Sequence, residues 1–349
     1  MGGLGRLLIV AVLLLAGCVN APGAGPSAQP SASRPIQAVI AVGARPGVPV
    51  AGAGAVWVPN TGDGTVSRID PRSNRVVATL RIGDQLAYYK RDCELKGSVH
   101  SFMGTSVHVR DCDLPSALAV SGNALWVLKN DEQMVLKLDP TSQRVLARVP
   151  LGFTPYEIAA TDTALWITGY WVDQLVRVDP ERNLVVARLT MPDGPAGIAA
   201  SDQVVWVTNT IAGELSRIDP ATNRVVARIA LDCPAACYQG SLPLAVTTAP
   251  DTVWVRTVGD GLVIRVDPHA NRVVTNVDVI YSLGRAGLDH LALFDGMLWV
   301  SGISLQRIDP ETNRVSGTLD IDATTATTGF GSLWITDLRG RVERINPRA

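Results

Sequence analysis

Two short pairs of polar residues in this chain of 349 residues are candidates for acid/base chemistry. They are Tyr156-Glu157 and Asp289-His290, and in each pair the second residue stands nine positions ahead of a tryptophan. Carboxyl, imidazole and phenol groups transfer protons near neutral pH when their surroundings shift their pKa values. If the two pairs meet, they would bind a polar ligand or act as general acid and base. A wet channel lined by polar side chains without a function is the alternative.

A pair of aromatic residues, Tyr170-Trp171, is the second candidate site. It occupies a turn where other parts of the chain carry short polar runs, and Trp171 is the one tryptophan of eight that does not fit the repeat described below. An exposed aromatic pair is suited to stacking on a carbohydrate, a peptide or an aromatic ligand. The alternative is a hydrophobic plug beneath a neighbouring insertion.

The beginning of the chain is typical of an exported lipoprotein. An apolar run from Leu7 to Leu15 follows Arg6 and is too short to cross a bilayer as a helix. The tetrapeptide ending at Cys18, Leu-Ala-Gly-Cys, resembles the bacterial lipobox, in which the cysteine thiol receives a lipid. We therefore expect a signal peptide over residues 1–17 and a lipidated Cys18. An ordinary secretory signal is the alternative.

Residues 18–35 are mostly Ala, Pro, Gly and Ser and should form an extended tether. Export would place the chain on the bacterial cell membrane or outer membrane, facing the periplasm or the exterior.

In that oxidising compartment the four other cysteines indicate two local disulfides, Cys93–Cys112 and Cys233–Cys237. A zinc site with four thiolates is the competing interpretation, although neither spacing suits it, and we expect no metal.

A repeated unit determines the fold prediction. Its clearest copy contains Val205-Trp206-Val207-Thr208-Asn209, then Arg217-Ile218-Asp219-Pro220, then Asn223-Arg224-Val225-Val226. The tryptophan recurs seven times, at Trp57, Trp126, Trp166, Trp206, Trp254, Trp299 and Trp334. Each copy has four short β-branched runs separated by turn residues, without helical periodicity. Such repeats predict a seven-bladed β-propeller with four strands per blade over residues 36–349.

The Asp-Pro segment of six copies, replaced by Asn346-Pro347 in the last, should be a turn, with Asp accepting backbone hydrogen bonds and Asn in a left-handed conformation. The last copy stops before its fourth strand, and Ile36 to Gly43 has the matching pattern. An N-terminal strand is thus expected to complete blade 7 and remove an open sheet edge. The long insertions, 84–114, 232–242 and 280–287, are expected on one rim.

A propeller has a central channel, and counting back from each repeat tryptophan identifies the residues that should line it. The position nine before each repeat tryptophan gives Val48, Ala117, Glu157, Gly197, Ala245, His290 and Thr325. Most of these are small, so the two polar pairs stand out. With a formal net charge of −1, the chain has no global field that would attract nucleic acid.

The repeated Trp-Val-x-Asn and Arg-Ile-Asp-Pro-x-Thr-Asn-Arg-Val-Val-Ala segments resemble the YVTN-type propeller repeat and the related streptogramin (virginiamycin B) lyase-like propellers. The resemblance covers residues 36–349. It implies an enzyme in which a magnesium ion and a His and a Glu at the channel mouth open a cyclic depsipeptide at its ester by elimination. In this chain His290 is near an equivalent position.

The sequence supports two functional hypotheses. The favoured hypothesis is a monomeric, non-catalytic, lipid-anchored propeller whose loop-rich face binds a small molecule or an envelope protein, with Tyr170 and Trp171 in the binding surface. The alternative is a lyase-like enzyme that uses Tyr156, Glu157, Asp289 and His290. No cofactor is expected unless the lyase hypothesis holds, in which case it would be magnesium.

Overall fold

Seven four-stranded antiparallel sheets follow one another along the chain. The computed structural model describes residues 35–83, 99–102, 105–108, 115–130, 132–231, 241–280, 290–337 and 339–346. The innermost strands of successive sheets contact each other, and that of the last sheet contacts that of the first. The sheets therefore form a closed ring, and the predicted seven-bladed propeller is confirmed.

Each sheet is one blade, numbered here from the first complete one. Blade 1 consists of β2 (Val50–Gly52), β3 (Ala55–Asn60), β4 (Thr65–Asp70) and β5 (Arg75–Arg81). A separate hairpin, β6 (Val99–Phe102) and β7 (Thr105–His108), follows it. Blade 2 consists of β8 (Pro115–Ser121), β9 (Ala124–Lys129), β10 (Met134–Leu138) and β11 (Val145–Pro150). Blade 3 consists of β12 (Ile158–Ala160), β13 (Leu165–Gly169), β14 (Gln174–Asp179) and β15 (Leu184–Thr190).

The remaining blades have the same order from the innermost strand outward. Blade 4 consists of β16 (Pro195–Ala200), β17 (Val205–Asn209), β18 (Glu214–Asp219) and β19 (Arg224–Ala230). Blade 5 consists of β20 (Pro243–Ala249), β21 (Thr252–Thr257), β22 (Leu262–Asp267) and β23 (Arg272–Asp278). Blade 6 consists of β24 (Leu291–Phe294), β25 (Met297–Val300), β26 (Leu305–Asp309) and β27 (Arg314–Leu319). Blade 7 consists of β28 (Thr325–Gly329), β29 (Ser332–Asp337), β30 (Arg341–Ile345) and β1 (Ile36–Ala41).

The N-terminal strand closes the ring as predicted. β1 pairs antiparallel with β30, with Ile40 opposite Val342. The side chain of Ile40 is buried against Val56 and Val58 of blade 1 and Trp334 of blade 7. Pairing with β1 gives β30 a partner on its outer side, where it would otherwise be an open sheet edge.

The seven repeat tryptophans form the core between blades. Each is at most 3% exposed, and each belongs to a separate apolar cluster. Trp166 of blade 3, for example, packs with Val205 and Val207 of blade 4. Burial of so large a side chain at every interface makes these positions the main apolar contribution to ring closure.

The Asp-Pro turns have the predicted local structure. In blade 4 the Asp219 carboxylate accepts hydrogen bonds from the Ala221 backbone N–H at 2.9 Å and the Thr222 hydroxyl at 2.7 Å. These bonds lower the pKa of Asp219, the Thr222 hydroxyl first. Asn223 has a φ of 54°, the left-handed conformation expected of it.

The same turns also hold neighbouring blades together, which was not predicted. Arg177 of blade 3 lies over Trp166, 5.4 Å from the ring centroid, and donates to the Pro220 carbonyl at 2.7 Å and to Asn223 Oδ1 at 3.2 Å. We call this arrangement the arginine latch. It recurs between other blades through Arg217, Arg265 and Arg344.

Several predictions fall on residues that the structure does not describe. All five cysteines lie there, as do residues 1–34 and most of the three insertions. The signal peptide, lipid, tether and disulfides therefore stay predictions. Over the residues that are described, the structure has no helix with the length and hydropathy needed to cross a membrane.

Candidate functional site

A cavity of about 740 Å³ lies on the axis of the ring. Every blade contributes an innermost-strand residue to its wall: Val50, Leu118, Ile158, Ile198, Val246, Leu291 and Ala326. Its rim includes Thr154, which precedes the innermost strand of blade 3, and Thr61 and Trp171, which follow the second strands of blades 1 and 3. These two kinds of connection therefore share one face of the ring.

The three described residues of the two candidate pairs all lie at this cavity, as the register of the repeat predicts. Glu157 and His290 immediately precede β12 and β24, and both line the cavity with Tyr156. Asp289 lies outside the described residues. Six of the seven residues predicted to line the channel do so: Val48, Glu157, Gly197, Ala245, His290 and Thr325.

The prediction for Ala117 is wrong. Its side chain is buried at 3% exposure and packs in the cluster around Trp126, while Ser116 and Leu118 line the cavity in its place. Successive side chains of a strand point to opposite faces, and that of Ala117 faces the apolar packing between blades 2 and 3 instead of the cavity.

Hydroxyl groups at the ends of the second strands fix the backbone at both candidate residues: Thr168 lies within β13, and Ser301 directly follows β25. Thr168 Oγ1 accepts from the Glu157 N–H at 3.1 Å and donates to the Ala196 carbonyl of the next blade at 2.8 Å. Ser301 Oγ accepts from the His290 N–H at 2.7 Å and donates to Thr324 of the next blade at 3.3 Å. The sequence contains a signal for these two hydroxyl groups, because Thr168 and Ser301 each stand eleven positions after the candidate residue that they hold.

Glu157 is half-buried, touching the cavity on one side and protein on the others. Its Oε1 accepts a 3.2 Å hydrogen bond from the Ile158 N–H, which favours the charged form. Burial outweighs this bond and raises the pKa of Glu157 to about 7. Near neutral pH the carboxyl is therefore present in both forms and can donate or accept a proton.

His290 is also half-buried at the cavity wall, and burial lowers the pKa of its imidazole to about 4. At neutral pH the ring is uncharged and has one nitrogen able to accept a proton. Tyr156 stays a protonated phenol, because burial first, then the charges of Glu157 and Tyr170, raise its pKa well above the ordinary value. The described part of the cavity thus combines a neutral base, a titrating acid and a phenol.

Three aromatic rings run from the cavity to its rim. Tyr170 lies with its ring centroid 5.3 Å from that of Tyr156 and 4.5 Å from that of Trp171, edge-on to the indole. The prediction of an exposed aromatic pair is wrong for Tyr170, which is 4% exposed. Trp171 is partly exposed and lines the cavity. Tyr170 therefore supports the indole from behind, and of this pair only Trp171 reaches the cavity.

The described residues do not fit a magnesium site. Glu157 is the one carboxylate among those lining the cavity, and the described part of the chain contains no group of three His, Cys, Asp or Glu side chains that could hold a metal. Magnesium requires near-octahedral oxygen coordination.

Comparison with known proteins identifies the fold. No protein-family model matches the sequence, and no curated protein matches it significantly. The structure is similar to that of virginiamycin B lyase from Staphylococcus aureus, with a TM-score of 0.67 and 14% identity over 88% of this chain and 98% of that one. A streptogramin B lyase structure gives a TM-score of 0.65 and 16% identity over 90% of this chain and 95% of that one. Similarity at these identities establishes the fold.

Proposed function

We propose that this propeller is a ligand-binding protein of the bacterial cell envelope. The observation that carries the proposal is the axial cavity of about 740 Å³, whose wall combines Tyr156, Glu157, Trp171 and His290. Cavities of this size, with mainly apolar walls and a few convergent polar groups, suit a small organic ligand.

The protonation states indicate what kind of ligand the cavity favours. His290 is neutral at pH 7 and Glu157 is only partly ionised, so these two groups give the wall little net charge, and Arg45 is the one cationic side chain among the lining residues. A neutral ligand with amide or ester groups would find donors and acceptors there. The exposed part of Trp171 would cover an aromatic or sugar ring at the rim.

Envelope placement rests on the N-terminal sequence. A thioether-linked lipid on Cys18 would hold the chain at a membrane, and residues 18–35 would space the propeller from it. The test is labelling with an alkyne-bearing palmitate in a bacterial host, followed by membrane fractionation. We expect labelled wild-type protein in the membrane fraction, whereas Cys18→Ser should be unlabelled; label that persists in Cys18→Ser would contradict the anchor.

Binding can be tested through Trp171, because the seven repeat tryptophans are at most 3% exposed. Acrylamide should therefore quench mainly the emission of Trp171, and Trp171→Phe should remove that quenchable fraction. A streptogramin B-type cyclic depsipeptide, which carries aromatic rings, amides and an ester, is the first probe. Saturable protection of Trp171 from acrylamide would support the proposal. If no compound in a panel of ring-bearing amides and esters protects Trp171 from acrylamide, the proposal is overturned.

A second candidate, a lyase-like enzyme, is favoured by the presence of His290 and Glu157 at one cavity. Elimination at an ester requires a base to take the proton from the carbon next to the one bearing the ester oxygen. A C=C bond then forms as the C–O bond breaks, and the carboxylate leaves. Neutral His290 has the protonation state for the base, and protonated Glu157 could neutralise the leaving carboxylate.

The same depsipeptide separates the two functions. Ring opening, followed by mass spectrometry with and without added magnesium, would establish the lyase activity if it is lost in His290→Ala. Protection of Trp171 without any ring opening would support the binding function and contradict the lyase activity. Turnover that survives His290→Ala would remove the mechanism as proposed.

A further inference from the structure

A second concave surface lies at the junction of blades 7 and 1, with a volume of about 640 Å³. Its wall includes Gly54, between the first two strands of blade 1, and Asp70-Pro71-Arg72, between the last two. Phe330, between the first two strands of blade 7, also lines it. In an antiparallel blade these connections lie at the opposite end from those around the axial cavity. We call this surface the seam groove.

Phe330 is an anomaly at this groove. Its side chain is 43% exposed, and its φ of 51° lies in the left-handed region that disfavours a large residue. The equivalent tight turns of blades 1 and 6 have Ala53-Gly54 and Asp295-Gly296. A strained and exposed aromatic ring is unfavourable for the isolated fold, which suggests that the ring serves contact with something else.

Arginines supply most of the charge of the groove. Arg68, Arg72 and Arg344 line it, against one carboxylate, Asp70. Arg344 is held in place, since it donates to the carbonyls of Pro71 at 2.6 Å and of Phe330 at 3.3 Å. These two bonds fix the Phe330 turn relative to blade 1.

Arg68 differs from the latch arginines of blades 3, 4, 5 and 7. It lies over Trp57 at 5.4 Å, but its buried Nε–H has no acceptor among the described residues. In blade 2, the next turn has Gln143 where the latched turns have Asn. Among the described residues the guanidinium of Arg68 makes neither of the two latch bonds, so the next blade does not use its hydrogen-bonding capacity.

We propose that the seam groove binds a small aromatic carboxylate, with its ring against Phe330 and its carboxylate near Arg68 and Arg72. A net positive, partly desolvated groove selects an anion, because guanidinium groups bind carboxylates through charge-assisted hydrogen bonds. The exposed Phe330 ring adds a stacking surface that selects a flat ring over an aliphatic group. This site is independent of the axial cavity and of the function proposed for it.

The test is ¹⁹F NMR relaxation of 4-fluorobenzoate mixed with the full chain. Two matched probes separate the two contributions: 4-fluorobenzyl alcohol has the ring without the charge, and fluoroacetate has the charge without the ring. We expect saturable binding of 4-fluorobenzoate and at least about fivefold weaker binding of either control probe. Equal binding of 4-fluorobenzyl alcohol, or no saturable binding of 4-fluorobenzoate, would overturn the proposal.

Phe330→Asn distinguishes a binding role from a structural one. Asn adopts a left-handed conformation more readily than Phe, so this variant should melt at the same or a higher temperature. Its affinity for 4-fluorobenzoate should nevertheless fall at least about fivefold. Ile211→Asn, which removes an exposed apolar side chain from a turn of blade 4, is the matched control and should bind as wild type. Unchanged affinity in Phe330→Asn would refute the site.

Discussion

The guanidinium of Arg344 in blade 7 donates a 2.6 Å hydrogen bond to the backbone carbonyl of Pro71 in blade 1. The two residues are 273 positions apart, so this single bond connects the two ends of the ring. The ring is therefore closed in two ways, by the pairing of β1 with β30 and by an arginine latch of the kind seen between other blades.

The latch should contribute measurably to stability. Arg177→Lys keeps a cation over Trp166 but shortens its reach, much as the natural Lys137 of blade 2 donates, among the described residues, to the Pro180 carbonyl alone. We expect a loss of about 1.5–3 kcal/mol in the free energy of unfolding, the usual contribution of a hydrogen bond to a charged group. Urea denaturation measures it.

A double-mutant cycle with Asn223 tests the cause of that loss. Asn223→Gly removes the acceptor amide but tolerates the φ of 54°. If the bond between Arg177 and Asn223 is responsible, Arg177→Lys should cost much less in the Asn223→Gly background than in the wild type. Equal losses in both backgrounds would assign the effect to the bond with the Pro220 carbonyl or the contact with Trp166 instead.

The N-terminal strand offers a second prediction. Ile40 is 5% exposed and packs across the junction of blades 7 and 1, whereas its neighbour Val39 is 53% exposed. Ile40→Ala should reduce the free energy of unfolding by about 2–4 kcal/mol, because it leaves a cavity at the closure. Val39→Ala should change it by less than about 0.5 kcal/mol. Similar effects of the two substitutions would argue against closure by β1.

Much of the architecture was predictable because it is repeated. One tryptophan per blade fixes the register of all seven sheets, and that register correctly placed Glu157 and His290 at one cavity although 133 positions separate them in the sequence. The Arg-Ile-Asp-Pro segment was recognised as a turn, but its contact with the preceding blade was not. Sequence spacing within a repeat describes local geometry and does not show which neighbouring repeat a long side chain reaches.

The candidate sites were harder to predict because they depend on where single side chains point. Tyr170 and Trp171 are adjacent in sequence, yet one is buried and the other partly exposed. The seam groove joins Phe330 to Arg68 and Arg72 from the other end of the chain. Neither arrangement has a periodic signal, so composition and spacing could not indicate it.

Tyr170 should tolerate loss of its hydroxyl but not of its ring. Its buried hydroxyl has no hydrogen-bond partner among the described residues, which is unfavourable in the folded state. Tyr170→Phe is therefore expected to be neutral or to stabilise the fold by up to about 1 kcal/mol. Tyr170→Leu should keep the burial but lose the ring contacts on both sides, making Trp171 more accessible to acrylamide. Destabilisation by Tyr170→Phe would mean that the hydroxyl has an acceptor after all.

Glu157 and His290 should make opposite contributions to the pH dependence of stability. The folded pKa of Glu157 is about 7 against an ordinary 4.5, so the folded state keeps a proton that the unfolded chain loses. Its contribution to stability therefore falls as pH rises from about 4.5 to 7. The folded pKa of His290 is about 4 against 6.5, so the unfolded chain binds the extra proton and this contribution rises between those values.

Over the shared window, from about pH 4.5 to 6.5, the two slopes should largely cancel in the wild type. Glu157→Gln would leave the His290 contribution, so stability should rise with pH; His290→Gln would leave the Glu157 contribution, so stability should fall. Each slope is at most about 1.4 kcal/mol per pH unit, the value for one proton, and smaller because both groups touch the cavity. Urea denaturation from about pH 4 to about pH 8 measures both. Parallel curves for the wild type and either variant would show that burial does not shift that group's pKa.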